Sequence, residues 1–463
     1  MPYAVLAVVV CVVAQLPQTN DAAWQLWIGR ELVRGAELYH DIIEINPPLW
    51  FWLAVPLVQA AGFLGISGNF ALIGFLGLSA ALSIAMVQRM NPNPWILLSL
   101  VFAFFVPGLS ETGQREQFTL IAFMPCVFLA AARAERKGVR IRFAILVGLW
   151  AGLGIALKHY FVLAPLALEL WLVLKRRWAI RPELIALCAT GLVYVAIIYV
   201  VTPAYLHSVV PMIQESYGSF NSPFGSLLSS EILSVAAIAL LGLALLPERS
   251  ATVQSLGVAG LAFLVAFLLQ RKGFHYQGLP AVGLFSAMAI VALATKTRWD
   301  FRSKSAAFAL GLVPLLAVAT TSGHASRPHR PTLALFCDLP RGSTVLVLTP
   351  YGDVAWPAIE ICGQRWASRY MFLWMLHAIN RDPDRHGALA KNLHRHIALD
   401  IARYRPDLII VERGRDRFGI DPLAFVMSDP TLRSQLADNY DRSLIPKRAI
   451  FRMKSAGQPP QAN

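Results

Sequence analysis

The sequence predicts a mainly α-helical, polytopic membrane protein that ends in a small α/β domain outside the cytoplasm. The first observation is composition: 56% of the 463 residues are hydrophobic and only 15% are charged, whereas soluble domains carry about 25% charged residues. The second is that most charges lie between apolar runs of about 15–20 residues, close to the length that spans a bilayer. The third is that these runs end near residue 322, where shorter strand and helix patterns follow.

The apolar runs before residue 323 predict about 11–13 transmembrane helices. They lie near residues 1–16, 49–66, 70–88, 95–109, 117–132, 143–157, 160–174, 184–202, 231–247, 255–269, 278–295 and 306–322. Three basic loops between them are expected to be cytoplasmic, because positively charged residues are retained on that side. These loops lie at 133–142, 175–181 and 296–304. They hold much of the net charge of +14, so this charge does not indicate a nucleic-acid partner.

The polar loops at the other ends of the runs, and all residues after 323, then lie on the opposite face. These loops are 110–116, 158–159, 203–230 and 270–277. If every run spans, however, the polar loop at 17–48 falls on the cytoplasmic face, away from them. Two explanations remain open. Either the run at 49–66, which contains Pro56 and Gly62, is an interfacial or re-entrant segment, or a span elsewhere is missed or merged.

The residues after 323 predict a small α/β domain. Strand patterns lie at 343–349, 407–412 and 448–454, and a helix pattern at 386–404. The helix is expected to end before Pro406. The predicted organisation is therefore a membrane domain at 1–322, the α/β domain at 323–456 and a disordered tail at 457–463.

Cys337 and Cys362 both lie in the predicted α/β domain. Outside the cytoplasm such a pair can form a disulfide, whereas cytosolic cysteines stay reduced. Two cysteines are too few to decide this from spacing, so a disulfide and two free thiols both remain open. The other three cysteines lie in apolar runs, where we expect them to be packing residues.

The polar loops contain the candidate functional residues, because ionisable groups beside hydrocarbon are costly and are usually functional. Asp21 either caps the helix that follows it or is a general base whose pKa is raised by an apolar pocket. Arg115 and Glu116 have two interpretations as well. Together with Glu111 they form a surface ion-pair cluster, or Glu116 is the second acid or a metal ligand of a site, with Arg115 orienting it or binding a phosphate.

Cations in two further loops indicate an anionic ligand. Lys158 and His159 lie midway along the apolar segment 143–174, where a hairpin would bring them to the outer face. A lysine that merely extends out of the membrane is the alternative. Arg271 and Lys272 lie on the face that the positive-inside rule depletes of cations, and we expect them to bind an anion.

Together these residues fit glycosyl transfer from a lipid phosphate. A carboxylate removes the proton of the acceptor, and cations stabilise the phosphate as it leaves with growing negative charge. The sequence contains no GxGxxG motif, P-loop or clear His/Cys metal motif, which argues against a nucleotide-sugar or ATP-dependent enzyme. It shows no requirement for a cofactor and does not decide whether a divalent metal assists.

Several short motifs resemble those of the GT-C glycosyltransferases. Asp21-x8-Arg30-Glu31-Leu-x2-Gly35, Tyr39 and Asn46-Pro47-Pro48-x-Trp50 are similar to the first external loop of that superfamily. Gly154-Ile-Ala-Leu-Lys158 resembles its Gly/Ala-rich helix that ends in a phosphate-binding lysine, and Gln270-Arg-Lys272-Gly a later Lys-Gly loop. The greatest resemblance is to the lipid A aminoarabinose transferase and to related bacterial galacturonosyltransferases and protein mannosyltransferase-like enzymes.

The chain departs from this pattern at three positions. Ala22 stands where the family often has Glu, Glu116 where many members have Asp, and His159 where Gly usually follows the lysine. The sequence therefore does not assign the donor.

The resemblance implies a GT-C-like fold and the transfer of a hexosyl or pentosyl group from a polyprenyl-phosphate donor. The acceptor would be a lipid such as lipopolysaccharide, a glycan or a protein of the cell envelope. The implied location is the bacterial inner membrane, with the active site and C-terminal domain periplasmic. The implied catalytic residues are Asp21 and Glu116, the donor phosphate-binding residues are Lys158, Arg271, Lys272 and His275, and the supporting residues are Arg115, His159 and Glu44.

The expected partners are a polyprenyl-phosphate-linked sugar, a lipid or glycan acceptor and membrane lipids, and no nucleic acid. One alternative is a transporter or flippase for a lipid-linked substrate. Transporters place coupling charges near the bilayer midplane in repeated halves, whereas here the charges lie at the ends of runs and no halves match. The other alternative is a non-catalytic membrane assembly protein that acts through residues 323–463.

Overall fold

The structure, a computed structural model, describes residues 1–177, 179–228, 230–246, 249–294, 300–322, 330–416 and 418–454. The predicted tail at 457–463, the residues that follow the predicted domain boundary (323–329), and Lys296 and Arg298 of the third basic loop lie outside the described residues.

The chain up to residue 322 is almost entirely helical. Its α-helices are α1 (Pro2–Val13), α2 (Asn20–Val33), α3 (Leu49–Leu64), α4 (Gly68–Met90), α5 (Pro94–Phe105), α6 (Arg115–Ala134), α7 (Ile141–Ile155), α8 (Leu163–Leu174), α9 (Pro182–Val201), α10 (Val210–Ser216), α11 (Phe224–Leu228), α12 (Glu231–Leu245), α13 (Ala251–Gln270), α14 (Leu279–Ala294) and α15 (Phe301–Ser322). Six of the described helical segments are long and apolar enough to cross a membrane. These are Gly68–Met90, Arg115–Ala134, Pro182–Val201, Ala251–Gln270, His275–Ala294 and Phe301–Ala319.

Shorter apolar helices account for the remaining predicted runs, at Pro2–Val13, Leu49–Leu64, Pro94–Gly108, Ile141–Ile155, His159–Leu174 and Glu231–Leu245. Each apolar run of the sequence thus corresponds to a helix. Together with the C-terminal sheet described below, they confirm the predicted class, a mainly α polytopic membrane protein with a small α/β region.

The described residues divide into two compact units. Unit 1 consists of Met1–Arg30, Asn46–Val201 and the described part of Asn221–Ser326. Unit 2 consists of Glu31–Ile45, Thr202–Phe220 and the described part of Arg327–Asn463.

Helix α6 lies at the centre of unit 1. In the most apolar 18-residue stretch of α6, 83% of the residues are buried inside the protein, whereas only 22% are buried in the corresponding stretch of α9. Aromatic side chains surround it: the Phe118 ring lies 5.4 Å from the Trp150 ring of α7, and the Phe123 ring 5.8 Å from the Phe263 ring of α13. By contrast, α9 exposes apolar side chains such as Leu192 and Val200, as expected for a helix that faces lipid. The first turn of α6 is therefore held by packing on several sides.

Helices α1 and α4 run antiparallel. Near one end of the pair, Asn69 Nδ2 of α4 donates to Ala14 O, just after α1, at 3.3 Å. Near the other end, Tyr3 OH of α1 donates to Gln88 Oε1 of α4 at 2.8 Å. The end of α1 and the start of α4 therefore lie at the same end of unit 1.

The segment between these two helices stays close to α2. In the first turn of α3, Trp50 O accepts a hydrogen bond from Gln25 Nε2 of α2 at 3.2 Å. Where α4 begins, a Cβ on Gly68 would lie 3.3 Å from Leu26 of the same α2 helix. The chain thus approaches α2 both before and after α3, and α3 does not carry it to the opposite end of α1 and α4. This geometry favours a non-crossing segment at 49–66 over a missed span.

Unit 2 contains a five-stranded sheet. Its strands are β1 (Thr344–Leu348), β2 (Arg365–Trp366), β3 (Leu408–Glu412), β4 (Tyr440–Ile445) and β5 (Arg448–Met453), in the order β2-β1-β3-β5-β4. β1 pairs in parallel with β2 and β3, and β5 pairs antiparallel with β3 and β4. The three predicted strands are present as β1, β3 and β5, whereas the two edge strands, the short β2 and the exposed β4, were not predicted.

The helices of unit 2 cover this sheet. They are α10 together with α16 (Arg330–Cys337), α17 (Ala358–Cys362), α18 (Leu376–Arg381), α19 (Gly387–Tyr404), α20 (Pro422–Ser428) and α21 (Pro430–Asn439). α19 is the predicted C-terminal helix, and it packs Leu393 and Ile397 against Ile409 of β3 in one buried cluster. Cys337 and Cys362 form a disulfide between α16 and α17, with their Cα atoms 4.9 Å apart.

Two segments from the first 322 residues belong to unit 2. In the first, Ile43 N donates to Arg369 O at 2.7 Å, and Arg403 Nη1 contacts Asp41 Oδ1 at 3.1 Å. In the second, Tyr217 packs against the hydrophobic cluster of the sheet. Unit 2 is therefore built from three separate stretches of sequence.

Candidate active site

Asp21 lies in the first turn of α2, but its carboxylate is directed towards another element. The first turn is capped by Thr19, whose Oγ1 accepts a hydrogen bond from Ala22 N at 3.2 Å. Asp21 Oδ2 instead accepts a hydrogen bond from Gln114 Nε2 at 3.0 Å. The structure thus brings the loop at 17–48 to the loop that precedes α6.

A tight turn delivers Gln114 to this position. Gly113 has φ +93°, and a Cβ there would lie 3.0 Å from Leu72 and 3.1 Å from Ala22, so only glycine fits without strain. Gly113 N donates to Gln117 Oε1 at 3.1 Å, and Gln117 Nε2 donates to Phe104 O at 3.0 Å. These bonds fix the turn and so determine where the side chains of Gln114, Arg115 and Glu116 lie.

Lys158 approaches the first turn of α6 from the end of α7. Its Nζ lies 2.7 Å from Glu116 Oε1 and 2.9 Å from Gln270 Oε1. The Glu116 side chain is completely buried, and that of Lys158 is 11% exposed. On its other side, Glu116 Oε2 lies 3.6 Å from Arg115 Nε. The Glu116 carboxylate therefore lies between two cations.

Gly154, four residues before Lys158, allows the end of α7 to lie close to α6. Thr119 Oγ1 of α6 donates to Gly154 O of α7 at 3.0 Å, and a Cβ on Gly154 would lie 3.0 Å from Ala122 Cβ. The two helix backbones can come this close only because residue 154 has no side chain. This contact places the end of α7, and hence Lys158, over α6.

The loop at 270–276 forms the third side of the cluster. Besides Gln270, it contributes Tyr276, whose ring lies 5.6 Å from Lys158 Nζ. Lys272 Nζ contacts Asn221 Oδ1 at 2.8 Å, and Ser222 N donates to Arg271 O at 2.7 Å. The loop is thus joined to Lys158 through Gln270 and Tyr276, while Lys272 is held against the residues around 221.

Burial dominates the titration of this cluster. It raises the pKa of Asp21, against the lowering effect of the Arg115 charge and the Gln114 hydrogen bond. It lowers the pKa of Lys158, against the raising effect of the adjacent Glu116 carboxylate. It also lowers the pKa of Lys272 to about 8, with a further contribution from Arg271. A carboxyl group with a raised pKa is a stronger base, as general-base chemistry requires.

The other predicted site residues have different surroundings. His159 is exposed and its ring packs 4.0 Å from the Tyr160 ring. Arg271 is exposed, whereas His275 begins a short 3₁₀ turn and is half-buried. Glu44 is buried within unit 2. Within the residues that the structure describes, no group of three or more His, Cys, Asp or Glu side chains is placed to hold a metal ion.

Three residues of this cluster were not predicted as site residues: Glu111, Gln114 and Gln270. The two glutamines hold the predicted charged groups, one at Asp21 and one at Lys158. Gln114 follows an apolar helical segment and Gln270 ends an apolar helix, and an uncharged polar residue is common at such positions. Their position directly beside the predicted charges was the available signal.

Comparisons with protein-family models and with the sequences of curated proteins gave no match. The structure is similar to the crystal structure of ArnT from Cupriavidus metallidurans bound to undecaprenyl phosphate. The TM-score is 0.53 and the sequence identity 13%, over 99% of this chain and 98% of that chain. At this identity the similarity establishes the fold, over essentially the whole length of both chains. The protein therefore has the fold of this ArnT structure, in agreement with the GT-C-like fold class that the resemblance of its short motifs implied.

Proposed function

We propose that this protein is an integral membrane glycosyltransferase that moves a sugar from a polyprenyl-phosphate donor to a lipid, glycan or protein acceptor. The observation that carries the proposal is the convergence of a half-buried carboxylate, Asp21, with the buried Lys158–Glu116–Arg115 cluster. This convergence occurs on the fold of ArnT, which was crystallised with undecaprenyl phosphate. The sugar is a hexosyl or pentosyl group.

Asp21 acts as the general base in this proposal. Its carboxylate takes the proton of the acceptor hydroxyl while the acceptor oxygen attacks the anomeric carbon of the sugar. The bond between the anomeric carbon and the phosphate oxygen breaks, and its electron pair stays on that oxygen. The polyprenyl phosphate therefore leaves as a monoester with one more negative charge than the donor. A positioned base of this kind accelerates a reaction by about 10²–10⁴-fold.

Lys158 and Arg115 stabilise the charge that develops on the leaving phosphate. An ammonium group has three N–H donors, and the contacts to Glu116 and Gln270 account for two of them. Glu116 holds both cations in position and offsets their charge when no donor is bound. Its burial between them supports this role rather than that of a second base. Lys272 provides a further phosphate contact from the loop at 270–276.

The proposed orientation places the site on the periplasmic face of a bacterial inner membrane, together with the C-terminal domain. Arg133 lies in the last turn of α6, about 25 Å along the helix from Glu116 at a rise of about 1.5 Å per residue. Arg181 precedes α9 in the predicted basic loop at 175–181. The positive-inside rule assigns these basic ends to the cytoplasm, which leaves the Glu116 end outside.

The location of the charges also favours transfer over transport. Asp21, Glu116 and Lys158 lie together at one end of α6 rather than along a path through the bundle. Transporters instead place their substrate and coupling sites near the bilayer midplane. A site open to one face is what an enzyme with a lipid donor in that leaflet requires.

Mass spectrometry of a deletion strain tests the function. Lipid A, glycolipids, envelope glycans and polyprenyl-phosphate sugars are compared between the wild-type and the deletion strain. We expect the deletion strain to lack one glycan and to accumulate the corresponding polyprenyl-phosphate sugar. The wild-type gene should reverse both changes, and the gene that encodes Asp21→Asn should reverse neither. Unchanged glycans and an unchanged donor pool would contradict the proposal.

A further inference from the structure

Glu111 lies in the turn before α6 and shares a hydrogen-bonding partner with Asp21. Gln114 Nε2 donates to Asp21 Oδ2 at 3.0 Å, and the Gln114 side chain is also hydrogen-bonded to Glu111. A primary amide has two N–H donors and an acceptor oxygen, so one side chain can serve two carboxyl groups. Glu111 is half-buried. The structure thus contains two carboxyl groups joined by a single amide.

The charges around this pair are unequal. Burial and Glu116 raise the pKa of Asp21, but Asp21 also lies close enough to Arg115 and Lys158 for both cations to favour its ionised form. The charged groups that act on Glu111 are Asp21 of α2 and Glu116 of α6, both of them acids. Two neighbouring carboxyl groups do not readily ionise together, and the one nearer to cations ionises first. Asp21 is therefore the member that ionises first, and Glu111 is the member that retains the proton of the pair.

The count of charges leads to the same assignment. The cluster contains three carboxyl groups (Asp21, Glu111 and Glu116) and two cations (Arg115 and Lys158). With a proton on Glu111 these groups sum to zero, and without it a buried negative charge is left uncompensated, which is costly. Consistently, burial and the two neighbouring carboxylates raise the pKa of Glu111 to about 8.

We propose that Glu111 is a proton-carrying positioning residue: its neutral side chain keeps a third negative charge out of the site and so favours the ionised form of Asp21, which shares the Gln114 amide with it. The inference rests on the proposed function, because it concerns a site that binds a phosphate. A polyprenyl-phosphate sugar brings one negative charge and leaves a second on the departing phosphate. An ionised Glu111 would repel both and would oppose the ionisation of Asp21.

The proposal gives a pH dependence with a definite sign. Glu111 is neutral below a pH of about 8 and ionised above it, so kcat/KM for the donor falls as the pH rises through that value. For one group with this pKa, the fall between pH 7 and pH 9 is about tenfold. Lys272 loses its charge over the same range, because its pKa is also about 8. Burial lowers the pKa of Lys158 as well, but Lys158 is present in every variant compared below, so the test must separate Glu111 from Lys272.

The Lys272→Arg variant provides that separation, since a guanidinium does not titrate in this range. In this background we compare Glu111, Glu111→Gln, which resembles the protonated acid, and Glu111→Asp, which keeps a titratable group. Each pH profile of kcat/KM is normalised to its own maximum, so that the shape and not the rate is the readout. We expect the alkaline fall with Glu and Asp, and a fall of less than about twofold with Gln. An unchanged fall in the Glu111→Gln variant would overturn the inference.

Infrared spectroscopy of the purified full-length protein tests the proton without catalysis. We expect a carboxylic-acid C=O band that disappears as the pH is raised through about 8 and is missing at all pH values in Glu111→Gln. If the wild-type protein transfers no sugar but shows this band, the proposed function fails while Glu111 still carries a proton. If transfer occurs and the band is the same in Glu111→Gln, the inference fails and the function stands.

Discussion

The two ends of α6 contain buried charges of the same kinds, but they are balanced differently. At the end of the helix, Arg133 contacts Glu183 through two bonds, with Nε to Oε1 at 2.9 Å and Nη2 to Oε2 at 3.0 Å. Nearby, Arg181 Nη1 lies 2.5 Å from Glu169 Oε2. Each acid there has its own arginine, in a geometry that satisfies both partners.

The beginning of α6 has no such one-to-one matching. Glu116 is shared by Lys158 and Arg115, and Asp21 is held by an uncharged amide. Complete pairing reduces the energetic cost of burying a charge, whereas two cations that share one carboxylate remain able to bind a further anion. The comparison teaches that charge inside a membrane protein does not by itself indicate function. The informative feature is whether the charges already satisfy each other.

The largest effect is expected from removing the Asp21 charge. Asp21→Asn keeps a hydrogen-bonding side chain beside Gln114 but cannot accept the acceptor's proton. We expect kcat to fall by about 10²–10⁴-fold, measured with a polyprenyl-phosphate sugar and purified protein in lipid. Glu183→Gln, at the other end of the helices, is the matched carboxyl-to-amide control. A transfer rate of Asp21→Asn equal to that of the wild type would remove Asp21 from the mechanism.

Removing the Lys158 charge should have the next largest effect. Lys158→Ala takes away one of the two cations at Glu116, so the donor phosphate loses a charge-assisted hydrogen bond of about 1.5–3 kcal/mol. We expect kcat/KM for the donor to fall about 10–100-fold and the binding of undecaprenyl phosphate to weaken. Lys158→Arg should recover part of both. If the alanine variant binds undecaprenyl phosphate as tightly as the wild type, Lys158 does not contact the phosphate.

The smallest effect on catalysis is expected at the C-terminal end of α6, where Arg133 is paired with Glu183. Arg133→Gln leaves Glu183 buried without its cation, which costs about 2 kcal/mol of stability. We expect a lower Tm in detergent, while kcat/KM for the donor stays within about twofold of the wild-type value. A large loss of kcat/KM with an unchanged Tm would show that the Arg133–Glu183 pair contributes to catalysis and not to stability, and that the two ends of α6 do not differ in function.

Much of the fold follows from hydropathy alone. The apolar runs predicted their helices because a segment that spans lipid must be helical to satisfy its backbone. The buried strands β1 and β3 were predicted from continuous runs such as Thr344–Leu348, whereas β4 is exposed along most of its length and has no apolar pattern. The membership of residues 31–45 and 202–220 in unit 2 depends on long-range pairing, such as Ile43 with Tyr370, that no local pattern reveals.

The charged residues of the candidate site were predictable from the sequence. Asp21, Glu116 and Lys158 stand out because a charge beside hydrocarbon requires a reason. Gln114 and Gln270 do not stand out, because amides are common at helix ends and carry no charge. Glu111 was visible as an acid, but its protonation depends on the distances to Asp21 and Glu116, which sequence spacing does not provide. The partners of charged residues are therefore the part of such a site that needs a structure.

The return of α3 towards α2 has a consequence for biogenesis. This apolar helix contains Pro56 and ends at Gly65 in the left-handed conformation, and the chain lies against α2 both before and after it. If α3 does not cross the bilayer, as this return favours, the direction of every later helix depends on its not being passed across during insertion. An α3 that crossed would invert α4 and all that follows, and Asp21 and Lys158 would then be on opposite sides of the membrane. The return of one helix near the start of the chain is thus a condition for assembling a site whose other residues are synthesised much later.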